Sequence, residues 1–149
     1  MVAEDTYRTI DGTSTGIYRE KGSKFIAIAR PVYTEDEIKV IVEDLRKEYY
    51  DARHHCYAYI LGAKGEKWRV NDDGEPSGTA GKPIHGQLLS FNVTNVLVVV
   101  VRYFGGTKLG VSGLINAYKS ATQDALQNAT VITKTVDDIF NINFSYLVM

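Results

Sequence analysis

The chain has 149 residues, of which 44% are hydrophobic and 23% charged, a size and composition that suit one soluble globular domain. A formal net charge of -1 excludes a global basic field, so any nucleic-acid site has to be a local patch. The single cysteine excludes an internal disulfide framework, and the longest apolar run (96–101) is too short to span a membrane. The segment VAEDTYRTID after Met1 lacks the apolar run of a signal peptide. We therefore expect a cytoplasmic protein.

The first third of the chain predicts strands followed by a helix. Extended segments are expected at 7–10, 17–20 and 24–32, the last two forming a hairpin. Thr34 and Glu37 have the spacing of a capping box, which predicts a helix over 34–50. Its apolar face is formed at helical spacing by Ile38, Ile41, Val42, Leu45 and Tyr49.

The remaining chain alternates strands and helices. The predicted strands are 53–61, 67–70, 95–103, 131–136 and 139–144. The predicted helices run from residue 79 or 80 to about 91 and from about 112 to 128. This order predicts an α+β fold with helices packed on one face of a mixed β-sheet.

Two glycine-rich segments precede the last two helices: loop one (71–82) and loop two (103–113). Loop one contains Gly81-Lys82 but has Pro76 and Pro83 where a Walker motif needs glycine and a hydroxyl residue, which excludes a P-loop. Two alternatives remain for loop one: its helix N-terminus binds an anion, or it is a capped turn that only shapes the fold.

Loop two offers a similar choice. Arg102 ends the preceding strand and Lys108 precedes the following helix, and both could meet an anion at the helix start. The alternative is that Gly105 and Gly106 form a turn and Lys108 is solvated. The sequence leaves both open.

Three acids lie together in loop one: Asp72, Asp73 and Glu75. Carboxylates can bind Mg²⁺ or act as acid and base. Acids in turns more often accept hydrogen bonds from backbone N–H groups, and this interpretation is favoured.

Histidines and tyrosines alternate along the strand 53–61. His54, Cys56 and His85 could form a zinc site or a Cys–His nucleophile, but a buried thiol is favoured, and we predict no metal and no cofactor. On the opposite strand face, His55, Tyr57 and Tyr59 with Arg53 could stack single-stranded RNA. The alternative is that the tyrosines pack under a helix with only the hydroxyls exposed.

Four sequence blocks resemble a known family: KGSKFIA, DARHHCYAY, NDDGEPSGTAGKPI and VVVRYFGGTKLGVSGLINAY. They are similar to the N-terminal domain of the YigZ/IMPACT family, over roughly residues 5 to 130. The resemblance implies a fold like domain 2 of ribosomal protein S5. It also implies that residues 1–135 form this domain and that 136–149 form a linker or the first strand of a C-terminal ferredoxin-like domain.

The resemblance further implies a candidate surface and a role, because eukaryotic relatives act in translational control. The surface comprises Arg53, His54, His55, Asp72, Asp73, Glu75, Ser77, Gly78, Thr79, Gly81, Lys82, Arg102, Tyr103, Phe104, Gly105, Gly106, Lys108 and Gly110. We expect a non-enzymatic, translation-associated domain that binds RNA or a ribosomal component, without DNA specificity or membrane association. Phosphates would meet the cations Arg53, Lys82, Arg102 and Lys108, and bases would stack on Tyr57, Tyr59, Tyr103 or Phe104.

Two alternatives come from other classes. One is an enzyme acting on a small phosphorylated or carboxylated substrate held by the two loops, with His54 or His55 as acid or base and Asp72 or Glu75 holding a metal or orienting the histidine. The other is a protein-interaction module.

Overall fold

The computed structural model of the protein describes residues 6–136, which form seven strands and three helices. The strands are β1 (Thr6–Asp11), β2 (Ser14–Glu20), β3 (Ser23–Pro31), β4 (His54–Leu61), β5 (Lys67–Asn71), β6 (Val96–Tyr103) and β7 (Thr130–Thr135). The helices are α1 (Glu35–Glu48), α2 (Gly81–Ser90) and α3 (Gly110–Asn128). The predicted α+β class is therefore confirmed.

Five strands form one sheet in the order β2-β3-β6-β4-β5, and every neighbouring pair in it is antiparallel. The sheet is thus antiparallel, not mixed as predicted, because β6 runs opposite to both of its neighbours. Residues 96–102 of β6 are buried. A strand covered on both faces needs no polar alternation, which explains its continuous apolar sequence.

The helices lie on both faces of this sheet, whereas the sequence predicted one. The apolar side chains of α1 pack against Leu97, Val99 and Val101 of β6. Those of α2 and α3 pack on the opposite face, against the intervening residues of β6, Val98 and Val100. Successive side chains of a strand point to opposite faces, so β6 supplies both cores.

Helix α1 begins as predicted. The Glu37 N–H donates to the Thr34 hydroxyl at 3.1 Å, which is the N-cap bond of a capping box. The Glu37 carboxylate accepts instead from the Tyr33 N–H at 2.8 Å, one residue before the N-cap. Ile38, Ile41, Val42 and Leu45 are buried, which confirms the predicted apolar face.

A separate two-stranded ribbon joins the two ends of the described chain. β1 and β7 pair antiparallel, with Thr6 opposite Thr135. The predicted strand at 139–144 and nearly all of the predicted segment 136–149 lie outside the described residues. Within residues 6–136, no helix is both long enough and apolar enough to cross a membrane.

Candidate functional site

The candidate site lies at the end of the sheet where β4 begins and β6 ends. His54 and Arg102 are partners in the β4–β6 register. Loop one leads from β5 to the start of α2, and loop two follows Arg102 directly. The fold therefore brings together His54, Glu75 and Arg102, which are distant in sequence.

A buried carboxylate, Glu75, is at the centre of this cluster. The Arg102 Nη1 donates to both of its oxygens, at 3.0 and 2.8 Å, and the Tyr118 hydroxyl donates to Oε2 at 2.5 Å. The Nε2 of His54 lies 3.5 Å from Oε1. Glu75 and Arg102 are only 8% and 5% exposed, so each charge is compensated inside the protein by the other.

Tyr118 is a buried residue of α3, and the sequence did not indicate its role in this cluster. Burial, followed by the proximity of Cys56 and Glu75, raises the pKa of the Tyr118 hydroxyl far above its ordinary value. The hydroxyl therefore remains a proton donor to Glu75. No sequence signal identifies it, because a tyrosine on an apolar face has the same pattern whether or not its hydroxyl is bonded.

Cys56 is a buried thiol, as the sequence favoured. Its Sγ donates to the Asp72 carbonyl at 3.1 Å and contacts the Tyr118 hydroxyl at 3.4 Å. Burial raises the pKa of this thiol, which opposes formation of the thiolate that a nucleophile requires. The contacts therefore do not support a Cys–His nucleophile.

The zinc alternative is not supported by the structure either. The ring of His85 stacks on Trp68, with centroids 4.6 Å apart, while the Sγ of Cys56 faces Asp72 and Tyr118. Across residues 6–136, no three histidine, cysteine or acidic side chains are grouped so that they could hold a metal ion.

The N-terminus of α2 is occupied by a side chain of the protein itself. The Asp72 carboxylate accepts hydrogen bonds from the N–H groups of Gly78, Ala80 and Gly81, at 3.0, 3.2 and 2.8 Å. These are the donors that an external anion would need at a helix N-terminus. The structure supports the capped-turn alternative for loop one.

The other acid of the turn, Asp73, organises the start of β4. Its carboxylate accepts from the His55 N–H at 2.7 Å and from Arg46 at 3.2 Å. Its carbonyl lies 2.8 Å from the His54 Nδ1, and the Tyr49 carbonyl lies 2.7 Å from the His55 Nε2. The two acids thus bond mainly to backbone groups, as turn acids do, and both imidazoles are held by carbonyl oxygens.

The tyrosine face of β4 is covered. Tyr59 is 3% exposed and packs with the apolar side chains of α1, and its hydroxyl donates to Glu35 at 2.7 Å. Burial, then the bond to Glu35, raises the pKa of Tyr59 to about 12. Tyr57 is half-buried beside this core. The packing alternative is therefore the one that the structure supports for this face.

Aromatic and guanidinium groups from the residue before β4, from loop two, from β6 and from β3 form a stack. The Arg53 guanidinium carbon lies 4.6 Å from the Phe104 ring centroid, and that of Arg102 lies 5.4 Å from the same ring. Arg102 also lies 5.5 Å from the ring of Phe25, which is fully buried. The order Arg53, Phe104, Arg102, Phe25 runs from the surface to the core.

Three cations in and next to the β2–β3 turn lie beside loop two, and the sequence did not indicate them as site residues. A Cβ atom on Gly105 would collide with the Gly22 carbonyl carbon, so the two backbones are in direct contact. Arg19, Lys21 and Lys24 line an open groove of about 640 Å³ with Tyr103. The signal available in the sequence was a predicted hairpin turn carrying three cations within six residues.

Other predicted site residues are placed differently. Ser77, Gly78, Thr79 and Gly81 belong to the turn that Asp72 caps, and the Thr79 hydroxyl donates to the Pro76 carbonyl. Lys82 is exposed in the first turn of α2. Gly106, Lys108 and Gly110 are exposed in loop two, and α3 begins without a side-chain cap from its own N-cap residue.

Comparison with known proteins gives relatives over most of the described chain. The IMPACT family member YigZ of Escherichia coli K12 is 43% identical over 117 residues, which are 77% of this chain and 57% of that protein. The IMPACT family member YvyE of Bacillus subtilis is 37% identical over 124 residues, which are 83% of this chain and 57% of that protein. The chain thus spans little more than half the length of these relatives.

Solved structures are similar as well. A crystal structure of a hypothetical protein superposes with a TM-score of 0.84 at 38% identity, covering 88% of this chain and 65% of the other. The two-domain translational regulator Yih1 superposes with a TM-score of 0.51 at 20% identity, covering 87% of this chain and 52% of the other, and shares the fold. The S5 domain 2-like fold implied by the resemblance agrees with this architecture.

The family assignment rests on the segment that builds the site. Residues 21–126 match the model of the Impact N-terminal domain, and they run from the β2–β3 turn through both glycine-rich loops to α3. Because this match covers more than half of the chain, the protein belongs to the Impact N-terminal domain family.

Proposed function

We propose that the protein is a translation-associated domain that binds single-stranded RNA through one basic and aromatic surface. This surface, called here the loop-two surface, consists of Arg19, Lys21, Lys24, Arg53, Tyr103, Phe104 and Lys108. The observation that carries the proposal is the Arg53–Phe104 stack, which is a cation held against an aromatic ring that is 37% exposed. Exposed rings beside cations are how proteins stack unpaired bases and hold the adjoining phosphates.

The charge of the loop-two surface favours a polyanion locally although the chain as a whole is almost neutral. Five cations lie on it, with the acids Glu20 and Asp51 nearby. Lys24 stays close to the Tyr103 ring, 5.3 Å from its centroid, and the Tyr103 hydroxyl donates to Asp51 at 3.0 Å. Tyr103 is therefore held in place, which limits the entropy lost when a base stacks on it.

The sequence predicted Arg102 as a phosphate ligand, but Arg102 is not one of the residues that form the loop-two surface. Its Nη1 is committed to Glu75 in the interior. Arg53 and Lys108 are exposed and take over the contacts to the phosphates along the strand. The tyrosines of β4 are replaced as the stacking groups by Phe104 and Tyr103, because Tyr59 lies under α1.

The link to translation comes from the family. The resemblance implies relatives that act in translational control, and Yih1, which shares the fold, is described as a translational regulator. Among eukaryotic relatives, the IMPACT homolog of Schizosaccharomyces pombe is 33% identical over 110 residues, which are only 39% of that protein. The RNA in question would belong to the ribosome or to a ribosome-associated component.

The small-molecule enzyme alternative has less support from the described residues. Both imidazoles are held by backbone carbonyls, and the Glu75 carboxylate is already bonded by Arg102 and Tyr118. A reacting group needs an open position for its substrate, whereas Glu75 is 8% exposed.

Binding of a labelled single-stranded RNA, followed by fluorescence anisotropy over a range of salt concentrations, tests the proposal. We expect affinity to fall steeply with salt, because each phosphate contact releases counterions. Arg53→Gln should weaken binding and reduce the salt slope by about one. Lys39→Gln removes an equal charge from the exposed face of α1 and should leave both unchanged. Absence of binding at low salt, or equal losses in the two variants, would refute the proposal.

A further inference from the structure

Arg102 uses only part of its hydrogen-bonding capacity inside the protein. Its side-chain bonds to residues 6–136 all leave from Nη1, toward the two oxygens of Glu75. Its Nε is buried and has no hydrogen-bond partner in the described part of the chain. Buried N–H groups are nearly always bonded, so a guanidinium that is 5% exposed with an unbonded Nε requires an explanation.

The geometry of the guanidinium identifies the kind of acceptor that is missing. Nη1 lies on the Cδ side, so Nε and Nη2 form the opposite edge, with two parallel N–H donors. This edge matches two oxygens of one carboxylate or phosphate group, which bind it through paired hydrogen bonds. The rings of Phe25 and Phe104, 5.5 and 5.4 Å from the guanidinium carbon, restrict its plane.

The two rings beside the guanidinium differ in their exposure to solvent. Phe25 is fully buried and belongs to the core, whereas Phe104 is 37% exposed. A ligand that reached the guanidinium from solvent would therefore have to displace Phe104 rather than Phe25. Arg53, stacked on the Phe104 ring at 4.6 Å, would then be a second cation near this ligand.

We propose that the Nε–Nη2 edge of Arg102 is a phosphate-binding site, and that its ligand is the 5′-terminal phosphate of an RNA strand lying on the loop-two surface. The inference deepens the proposed function and rests on it. A terminal phosphate fits better than an internal one, because a continuous backbone needs a passage open at both ends. Arg102 is only 5% exposed, its Nη1 is bonded to Glu75, and its guanidinium carbon lies 5.5 Å from the ring of the buried Phe25, so it offers no such passage. Free phosphate shares the chemistry but lacks the stacking bases.

The first test compares two RNA strands of identical sequence, one with a 5′-phosphate and one with a 5′-hydroxyl, on the unmodified protein at equal salt. We expect the phosphorylated strand to bind about tenfold tighter, which is the scale of a charge-assisted paired contact. In Arg102→Lys, which keeps a cation for Glu75 but lacks the two-donor edge, this preference should disappear. Equal affinity of the two strands for the unmodified protein would overturn the proposal.

The second test is a direct observation of the Nε–H group by ¹H–¹⁵N NMR of the arginine side chains, with Arg102→Lys assigning the signal. We expect the Arg102 signal to move downfield with the phosphorylated strand and, at higher concentration, with inorganic phosphate, but not with the hydroxyl strand. A shift of the Arg102 signal with inorganic phosphate but not with the phosphorylated strand would overturn RNA as the ligand. No shift with either of them would overturn the phosphate site. If both strands bind equally, the proposed function stands and only the phosphate site falls.

Discussion

The Asp72 carboxylate accepts a 2.8 Å hydrogen bond from the N–H of Gly81, the first residue of α2, and thereby caps the helix from nine residues upstream. The N-cap residue itself, Ala80, has no side chain that could do so. A negative charge at this position also interacts favourably with the helix dipole. The Asp72 carboxylate therefore occupies the position that an external anion would take in this glycine-rich loop.

Asp72→Ala tests this cap. The substitution leaves three N–H groups without their acceptor, so the free energy of unfolding should fall by about 2 kcal/mol. Urea unfolding followed by circular dichroism measures the change. Asp44→Ala, on the exposed face of α1, is the control and should change stability by no more than about 0.5 kcal/mol. An unchanged stability of Asp72→Ala would contradict the assigned role.

Tyr118→Phe removes one donor from the buried Glu75 carboxylate without changing the packing of the ring. The remaining bonds come from the Arg102 Nη1, so the carboxylate is less well compensated. We expect a loss of about 1–3 kcal/mol in the free energy of unfolding. Tyr50→Phe is the matched control, because Tyr50 is 80% exposed. Similar unfolding midpoints for the two variants would show that the hydroxyl bond contributes nothing.

The stability of the protein should depend on pH through His85. Burial lowers the pKa of His85 below its ordinary value of 6.5, so the folded protein binds fewer protons at this site than the unfolded chain. Its contribution to stability is therefore present above about pH 6.5 and lost as the pH falls further. In His85→Gln, the decrease in the free energy of unfolding between about pH 7.5 and pH 5.5 should be smaller than in the unmodified protein. Parallel pH curves for the two proteins would contradict this.

Two glycines should respond oppositely to alanine. A Cβ atom on Gly105 would collide with the backbone of Gly22, so Gly105→Ala should lower stability by about 1–3 kcal/mol and displace loop two from the β2–β3 turn. Gly86 lies in α2 with open space where a Cβ atom would be, and Gly86→Ala should raise stability by about 0.5–1 kcal/mol. Thermal unfolding of both variants compares them. If Gly105→Ala left the stability unchanged, loop two and the β2–β3 turn would not be held together by this contact.

Local signals made parts of this fold predictable. The α1 helix was predictable from its capping box and apolar face, and β6 from its uninterrupted apolar run. The face on which α1 packs was not, because both faces of β6 are equally apolar. A local sequence pattern predicts whether a segment is a helix or a strand. The element against which it packs depends on the path of the connecting chain.

The candidate site was harder to predict because its contacts join distant residues. The bonds of Glu75 to Arg102 and Tyr118 span 27 and 43 positions. The cap formed by Asp72 depends on a turn in which Asp73 and Gly74 have positive φ angles of 42° and 87°. The sequence correctly indicated an acidic turn. Only the fold shows that Glu75 is buried, that Asp72 caps α2 and that Asp73 bonds to the start of β4.

The ribbon formed by β1 and β7 has a consequence for how the protein folds. Thr6 and Thr135 are paired although almost the whole described chain separates them, so among the strand pairs of residues 6–136 this pairing closes the longest loop. Closing a long loop carries an entropic cost that is offset only once the intervening elements are in place. An isolated two-stranded ribbon is also marginal without such support. The first and last strands of the described chain should therefore join late, after the central sheet has formed, and open first when the protein begins to unfold.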